Sequence, residues 1–290
     1  MKQEHTATDI VLSIYRGLIS GIKNDGIPVN LRPKSVIGTV QDDPFDWWIM
    51  DEMKKFLPKH IDIYHSGSLT TPDIVIRDRN SGQIVGFEIK KLIMSQKGKD
   101  PRGLTLDYNS CLPCGRTFVK LGDDTIIVPC YYIFALLDSS SKNIVTLIIL
   151  DGDFLNYDLD LHKEAKYSNI SEYNHGPYGE GSVRHRKMYT YPNPLNSKIT
   201  DFAMKHIFIG KKADLEMIVP ASSIKEQIIR QDKQNNSFYY YLVNEIEQPR
   251  EEGDTLKTLT NIFDECKKRN KKERVAYMPI IPTLESENNV

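Results

Sequence analysis

Cysteine and tryptophan are scarce, with four and two copies in 290 residues. Four thiols cannot supply the dense disulfide framework of a small secreted domain, and a chain of this length buries enough core without one. Long apolar runs are also missing. No stretch approaches the roughly 20 residues of a membrane span, and the N-terminal MKQEHTATDIVLSIYRGL lacks the apolar run of a signal peptide. A cytoplasmic protein without membrane association is expected, with Cys111, Cys114, Cys130 and Cys266 as reduced thiols. A surplus of charge of one sign is absent too: the formal net charge is -1 and the pI is near 6.7. A dedicated non-specific nucleic-acid binder would be strongly basic. A near-neutral chain can still engage DNA by gathering its lysines and arginines on a single face. No internal repeat and no low-complexity linker interrupts the sequence.

Apolar residues at helical spacing (Ile10, Ile14, Leu18, Ile22) predict a first helix over 8–22, followed by an irregular stretch over 32–43. Pro44 can open a second helix, PFDWWIMDEMKKFL, which Pro58 ends. Three extended segments follow, HIDIYHS, PDIVIRD and QIVGFEIKKL, with Ser81-Gly82 as a hairpin turn between the last two. The apolar runs 129–138 and 143–152 suit central strands covered on both faces. A polar stretch spans 153–197. Helices are expected around 199–207, 222–229 and 254–270, a strand over 237–246, and a loose end from 279. One α/β domain with inserted loops is the economical reading.

The chemistry concentrates in Thr71-Pro72-Asp73-Ile74-Val75-Ile76 and Glu88-Ile89-Lys90, with fourteen residues between Asp73 and Glu88. Alternation along a strand sends Glu88 and Lys90 to one side and Ile89 to the other. If the two segments pair antiparallel about Ser81-Gly82, Asp73 arrives near Glu88, and two carboxylates converge with an ammonium. Oxygen ligands select Mg²⁺, which binds through one or two carboxylates plus substrate phosphate. Such an ion assists phosphodiester hydrolysis, while the lysine orients or deprotonates the attacking water or stabilises charge in the transition state. Asp73 and Glu88 are the candidate metal ligands and Lys90 the water-positioning base or stabiliser. An ordinary hairpin with charged outward residues also matches Glu-x-Lys. The Pro-Asp that opens an apolar strand and the amphipathic helix upstream set this hairpin apart.

Over about residues 38–92 the arrangement resembles the PD-(D/E)XK nuclease superfamily. The resemblance implies a restriction-endonuclease-like core, a central mixed β-sheet flanked by helices, and a Mg²⁺-dependent nuclease. It also implies a further acid from the upstream helix. Asp46 fits best, with Glu52 as the alternative; all three helix acids (Asp46, Asp51, Glu52) are equally suited to solvating its surface. On this reading residues 1–290 form one domain, with a catalytic core over about 38–152. DNA-recognition loops and helices would occupy about 95–125 and 153–275.

Two segments beyond the core suit DNA reading, GLTLDYNSCLPCGRTFVKL (103–121, with Arg116) and YNHGPYGEGSVRHRKMYTYPNPLNS (173–197). The second carries Arg184, His185, Arg186 and Lys187 among glycines, tyrosines and asparagines. Arginine reads guanine edges and asparagine adenine edges, although a basic tetrad in a loop equally suits phosphate contact or plain solvation. Lys90-Lys91, Lys97, Lys99 and Arg102 could line the phosphate backbone, as could the run KKRNKKER. Cys111-x-x-Cys114 is half of a zinc site, and no thioredoxin-like unit accompanies it, so structural cysteines are expected ahead of zinc or redox chemistry.

The free-standing chain and the roughly 200 residues after Lys90 favour a type II restriction endonuclease that cuts double-stranded DNA at a short sequence, as a homodimer. A repair or structure-directed nuclease, or a non-catalytic DNA-binding protein on the same scaffold, are the alternatives.

Overall fold

The computed structural model describes residues 6–23, 26–33, 36–37, 40–41, 43–66, 71–94, 105–108, 112–171, 186–193, 195, 206–220, 224–225, 238–241, 267–271 and 280–281. Helix α1 (Ala7–Ser20) starts where Thr6 accepts a hydrogen bond from the Asp9 amide, and its buried residues recur at helical spacing. Helix α2 (Pro44–Phe56) is capped by Asp43, which accepts from the Phe45 amide at 2.9 Å, with proline at its start. Both helices lie where the sequence predicts them. Among the described residues, no helix is long and apolar enough to cross a membrane.

The strands are β1 (Ile27–Pro28), β2 (Val36–Ile37), β3 (Val40–Gln41), β4 (Ile61–His65), β5 (Ile74–Asp78) and β6 (Ile84–Ile93). They continue with β7 (Thr105–Tyr108), β8 (Arg116–Leu121), β9 (Asp124–Leu137) and β10 (Asn143–Asp151). A single 3-10 turn (Gly152–Phe154) leads to helix α3 (Leu159–Ser171), then β11 (Arg186–Pro192), β12 (His206–Lys211) and helix α4 (Lys212–Ile218). The remaining strands are β13 (Ile224–Lys225), β14 (Phe238–Tyr241), β15 (Lys267–Lys271) and β16 (Ile280–Ile281).

The main sheet is curled and mixed, in the order β13-β14-β12-β10-β9-β6-β5-β4. Its centre is β9, parallel to β6 (Glu88 opposite Tyr132) and antiparallel to β10 (Ile149 opposite Ile133). β12 adds parallel to β10, while the first half of β9 turns away to pair with β8. Strands covered on both faces read as continuous apolar runs, and 130–137 is such a run. On one face Phe87, Tyr131, Ile133 and Ile149 pack with α1 and α2. On the other, Tyr132, Phe134, Ile148 and Leu150 pack with Leu106, Tyr108, Phe154 and Ala165. The chain is thus a mixed α/β fold, its sheet flanked by helices.

Several expectations are corrected. Residues 206–211 form a strand rather than the end of a helix, because His206–Gly210 is buried between neighbours and rich in β-branched side chains. Residues 224–225 pair with β14, and 267–271 pair with β11, where helices were expected. The stretch 153–197 contains α3 and β11 rather than loop alone, and 103–121 supplies β7 and β8. Residues 36–37 and 40–41 pair with each other inside the stretch expected to be irregular, and 280–281 join β8 where a loose end was expected. For 206–211, 224–225, 267–271 and 280–281, pairing with a strand from another part of the chain overrides local propensity.

Phe134 is fully buried, so Phe134→Ala should cost about 3–5 kcal/mol of unfolding free energy. Urea titration followed by far-UV circular dichroism would measure it; a loss below about 1 kcal/mol would be incompatible with this core.

Candidate functional site

β5 and β6 pair antiparallel, Ile74 opposite Phe87 and Arg77 opposite Ile84. Their turn is held by Asp78, which accepts from the Asn80 amide at 2.8 Å and from the Ser81 hydroxyl at 2.9 Å. Burial alone would raise the Asp78 carboxyl, but these hydrogen bonds keep it below its ordinary value. Gly82 occupies the left-handed region at φ 74°, a conformation that suits glycine. At the opposite end of the hairpin the register brings Asp73 level with Glu88. The Ile89 amide donates to Asp73 Oδ2 at 2.6 Å.

Packing fixes the approach of this segment. Pro72 lies against Gly86, where a Cβ would come within 2.8 Å of the proline ring. From α3, Lys166 donates to the Thr71 carbonyl at 3.3 Å. The Pro-Asp therefore rests on a glycine of the neighbouring strand, and its geometry depends on both.

Glu88 and Lys90 share a face of β6. Lys90 Nζ donates to Glu88 Oε1 at 2.6 Å, while Glu88 Oε2 is buried without a hydrogen-bond partner. Tyr108 of β7 closes the site from above: its ring centroid is 5.4 Å from Lys90 Nζ and the residue is buried. Burial and the nearby Glu88 carboxylate push the Tyr108 hydroxyl well above its usual pKa. Burial also works against the Lys90 ammonium, but Glu88 and Asp73 outweigh it and hold the pKa above that of an ordinary lysine. Lys90 is therefore an ammonium at neutral pH.

On the other face of β6, Lys91 donates to both oxygens of Asp43, at 2.6 and 2.8 Å. This bond ties β6 to the start of α2 and pairs a lysine that, from its place in the sequence, could also line a phosphate backbone. One turn on, Asp46 comes within electrostatic reach of Asp73, Glu88 and Lys90. Burial and the Asp43 charge raise Asp46 to about 7, against the pull of Lys91 and Lys90. Asp73 is pushed well above its ordinary value by burial, Glu88 and Asp46. Asp51 and Glu52 instead pair along the helix with Lys54 and Lys55. Of the three helix acids, only Asp46 joins the hairpin carboxylates.

The donor set is all oxygen, which suits Mg²⁺. Glu88 Oε2, buried and unpaired, and the mutual repulsion of Asp46, Asp73 and Glu88 both fit a cation among them. Among the described residues, no group of three or more His, Cys, Asp or Glu side chains is gathered closely enough to hold a metal. Protein ligation would therefore rest on the pair Asp73 and Glu88, with other oxygens completing the shell.

The remaining sequence candidates are dispersed. Arg116 is exposed at the start of β8, bordering a cavity of about 420 Å³ with Asp151, Lys211 and Asp214. Arg186 and Lys187 begin β11. Lys97, Arg102, Arg184 and His185 lie outside the described residues, as does Cys111. Cys114 is buried. Its neighbour Gly115 donates to Asp153 Oδ1 at 3.0 Å, and Lys211 donates to Asp153 Oδ2 at 2.7 Å. A Cβ at Gly152 would overlap the Cys114 carbonyl, so this segment is held as a structural joint. His65 stacks on Trp47 with centroids 4.3 Å apart, and Arg32 lies 4.6 Å from the Trp47 ring centroid. Tyr108 and Asp43 were not singled out from sequence. The Asp-Pro start of α2 is the signal that identifies Asp43 as a cap.

Comparison with protein-family models, curated proteins and solved structures found no match to this chain.

A carboxyl whose folded pKa is raised takes up its proton more readily in the folded state than in the unfolded state. Its ionisation therefore erodes stability as pH climbs from the ordinary value of 3.8 through about 7. In EDTA, Asp46→Asn should raise the melting temperature relative to wild type more at pH 8.5 than at pH 4.5. A difference independent of pH would contradict the buried, raised carboxyl.

Proposed function

We propose that this chain is a metal-dependent nuclease of the PD-(D/E)XK class, built on a restriction-endonuclease-like core. Within that class, we propose a type II restriction endonuclease that hydrolyses double-stranded DNA at a short specific sequence, acting as a homodimer. The observation that carries the reading is the convergence of Asp73, Glu88 and Lys90 at one end of the β5–β6 hairpin, with Glu88 Oε2 unpaired and Asp46 alongside.

Asp73 and Glu88 would hold Mg²⁺. Bound there, the ion supplies Lewis-acid stabilisation of charge on the scissile phosphate. The chain's own groups do the rest. Lys90 is held as an ammonium by its acidic neighbours, which favours the electrostatic role over that of a base; it donates to a phosphate oxygen as charge develops there. Tyr108 covers Lys90 and Glu88 and keeps water from that side, so the charges act in a low-dielectric setting. The Lys91–Asp43 bond keeps the start of α2, and Asp46 with it, against the hairpin. Asp46, which gains a proton near neutrality, is suited to accept one from an attacking water when ionised.

The test is cleavage of plasmid and phage DNA with Mg²⁺ or EDTA, beside Asp73→Ala and Lys90→Met. Discrete Mg²⁺-dependent bands are expected, with a loss on the order of 10²–10⁴-fold in the Lys90 variant. A smear that needs the same residues would leave a nuclease without sequence specificity. Intact DNA across several substrates and divalent ions, from folded protein, would refute the proposal.

A further inference from the structure

A second, smaller sheet sits beside the candidate site, in the order β15-β11-β7. It joins three distant parts of the chain, TLDY (105–108), RKMYTYP (186–192) and KKRNK (267–271). The pairing is antiparallel throughout, with Arg186 opposite Lys271, Lys187 opposite Asn270, Met188 opposite Arg269 and Tyr189 opposite Lys268. On its other edge β11 pairs with β7, placing Tyr189 opposite Tyr108.

The charge of this sheet is lopsided. Strands β15 and β11 carry Arg186, Lys187, Lys267, Lys268, Arg269 and Lys271, and Asp107 is the one acid in the three strands. The chain as a whole has a net charge of -1, so this concentration is local. Like charges at directly opposite positions destabilise a ladder, and Arg186 faces Lys271 across this one. An anion along the strands relieves that repulsion. Along β11, Lys187, Tyr189 and Tyr191 fall on one side of the ladder and Arg186, Met188 and Thr190 on the other. The third strand ends on Tyr108, whose ring lies 5.4 Å from Lys90 Nζ. The basic ladder is thus continuous, through one strand, with the acid cluster.

We infer that the β15–β11 ladder is a binding surface for the phosphate backbone of duplex DNA, and that it feeds the duplex toward the site around Glu88 and Lys90. The last clause rests on the nuclease reading; the binding surface itself does not. Five paired positions at about 3.3 Å each run for roughly 13–17 Å. Alternation along the strands places Arg186, Lys267, Arg269 and Lys271 on one face of the ladder and Lys187 and Lys268 on the other. Duplex DNA carries one charge per about 1.7 Å of axis, so a ladder of that length meets enough phosphates to occupy the four cations of the first face. Contacts of this kind give affinity and register without reading bases.

The experiment is fluorescence anisotropy of a short labelled duplex in EDTA across a NaCl series, so that binding is read without cleavage. Replacing Lys267, Arg269 and Lys271 together by glutamine should weaken binding on the order of 30-fold and make the log–log salt slope shallower by about 2 to 3. Replacing the two lysines by arginine should retain both affinity and slope. Arg186→Gln, with β15 untouched, should shift the slope in the same direction by about 1. It serves as the readout if the threefold variant does not fold by circular dichroism. Wild-type affinity and slope in the glutamine variants would overturn the inference, as would failure of the wild type to bind duplex or a preference for single-stranded RNA. Charge-dependent duplex binding without Mg²⁺-dependent cleavage would uphold the surface and refute the nuclease. Cleavage with slopes unmoved by the variants would do the reverse.

Discussion

Strand β6 is hydrogen-bonded on both sides, antiparallel to β5 and parallel to β9, and the rest of the site depends on these two registers. A slip of one residue would exchange its faces. Glu88 and Lys90 would then turn toward α2, while Ile89 and Lys91 would turn toward β7. The slip is opposed by Phe87 and Ile89, which are buried with α1 and α2, and by Gly86, where Pro72 needs a residue without a side chain. Apolar burial thus decides where the charges stand.

Those charges are placed at a cost. Burial already disfavours the ionised forms of Asp46 and Asp73; Glu88 raises the proton affinity of both, and Asp46 adds to that of Asp73. Lys90 and Lys91 offset part of the repulsion, each on its own face of the strand. One oxygen of Glu88 is left buried and unpaired, which a fold selected for stability alone would be expected to avoid. Clusters of perturbed carboxylates tend to mark sites of chemistry, and the proposed nuclease accounts for this one.

The same logic separates the two clusters of buried charge. Asp151, Asp153 and Lys211 also sit in the interior, and Asp151 is raised to about 7 by burial and Asp153 against the pull of Lys211. Both oxygens of Asp153 are bonded, to the Gly115 amide and to Lys211. That cluster joins the end of β10 to the segment before β8 and to β12. It explains why a lone Cys-x-x-Cys is followed by glycine: the backbone must pass against Gly152 and Asp153.

The sequence by itself determined what local chemistry can decide. The Asp43-Pro44 start and Pro58 delimit α2, the Ser81-Gly82 turn defines the hairpin, and alternation puts Glu88 and Lys90 on one side. Each follows from dihedral limits, capping or a period of two. Tertiary structure alone decided the partners that come from far along the chain. Tyr108 reaches Glu88 because β7 pairs with β11, Lys91 reaches Asp43 across 48 residues, and 267–271 extend because β11 offers them an edge. Helical propensity in such segments is worth a few tenths of a kilocalorie per residue. An open strand edge and a buried apolar face outweigh it, and neither is visible until the chain has folded.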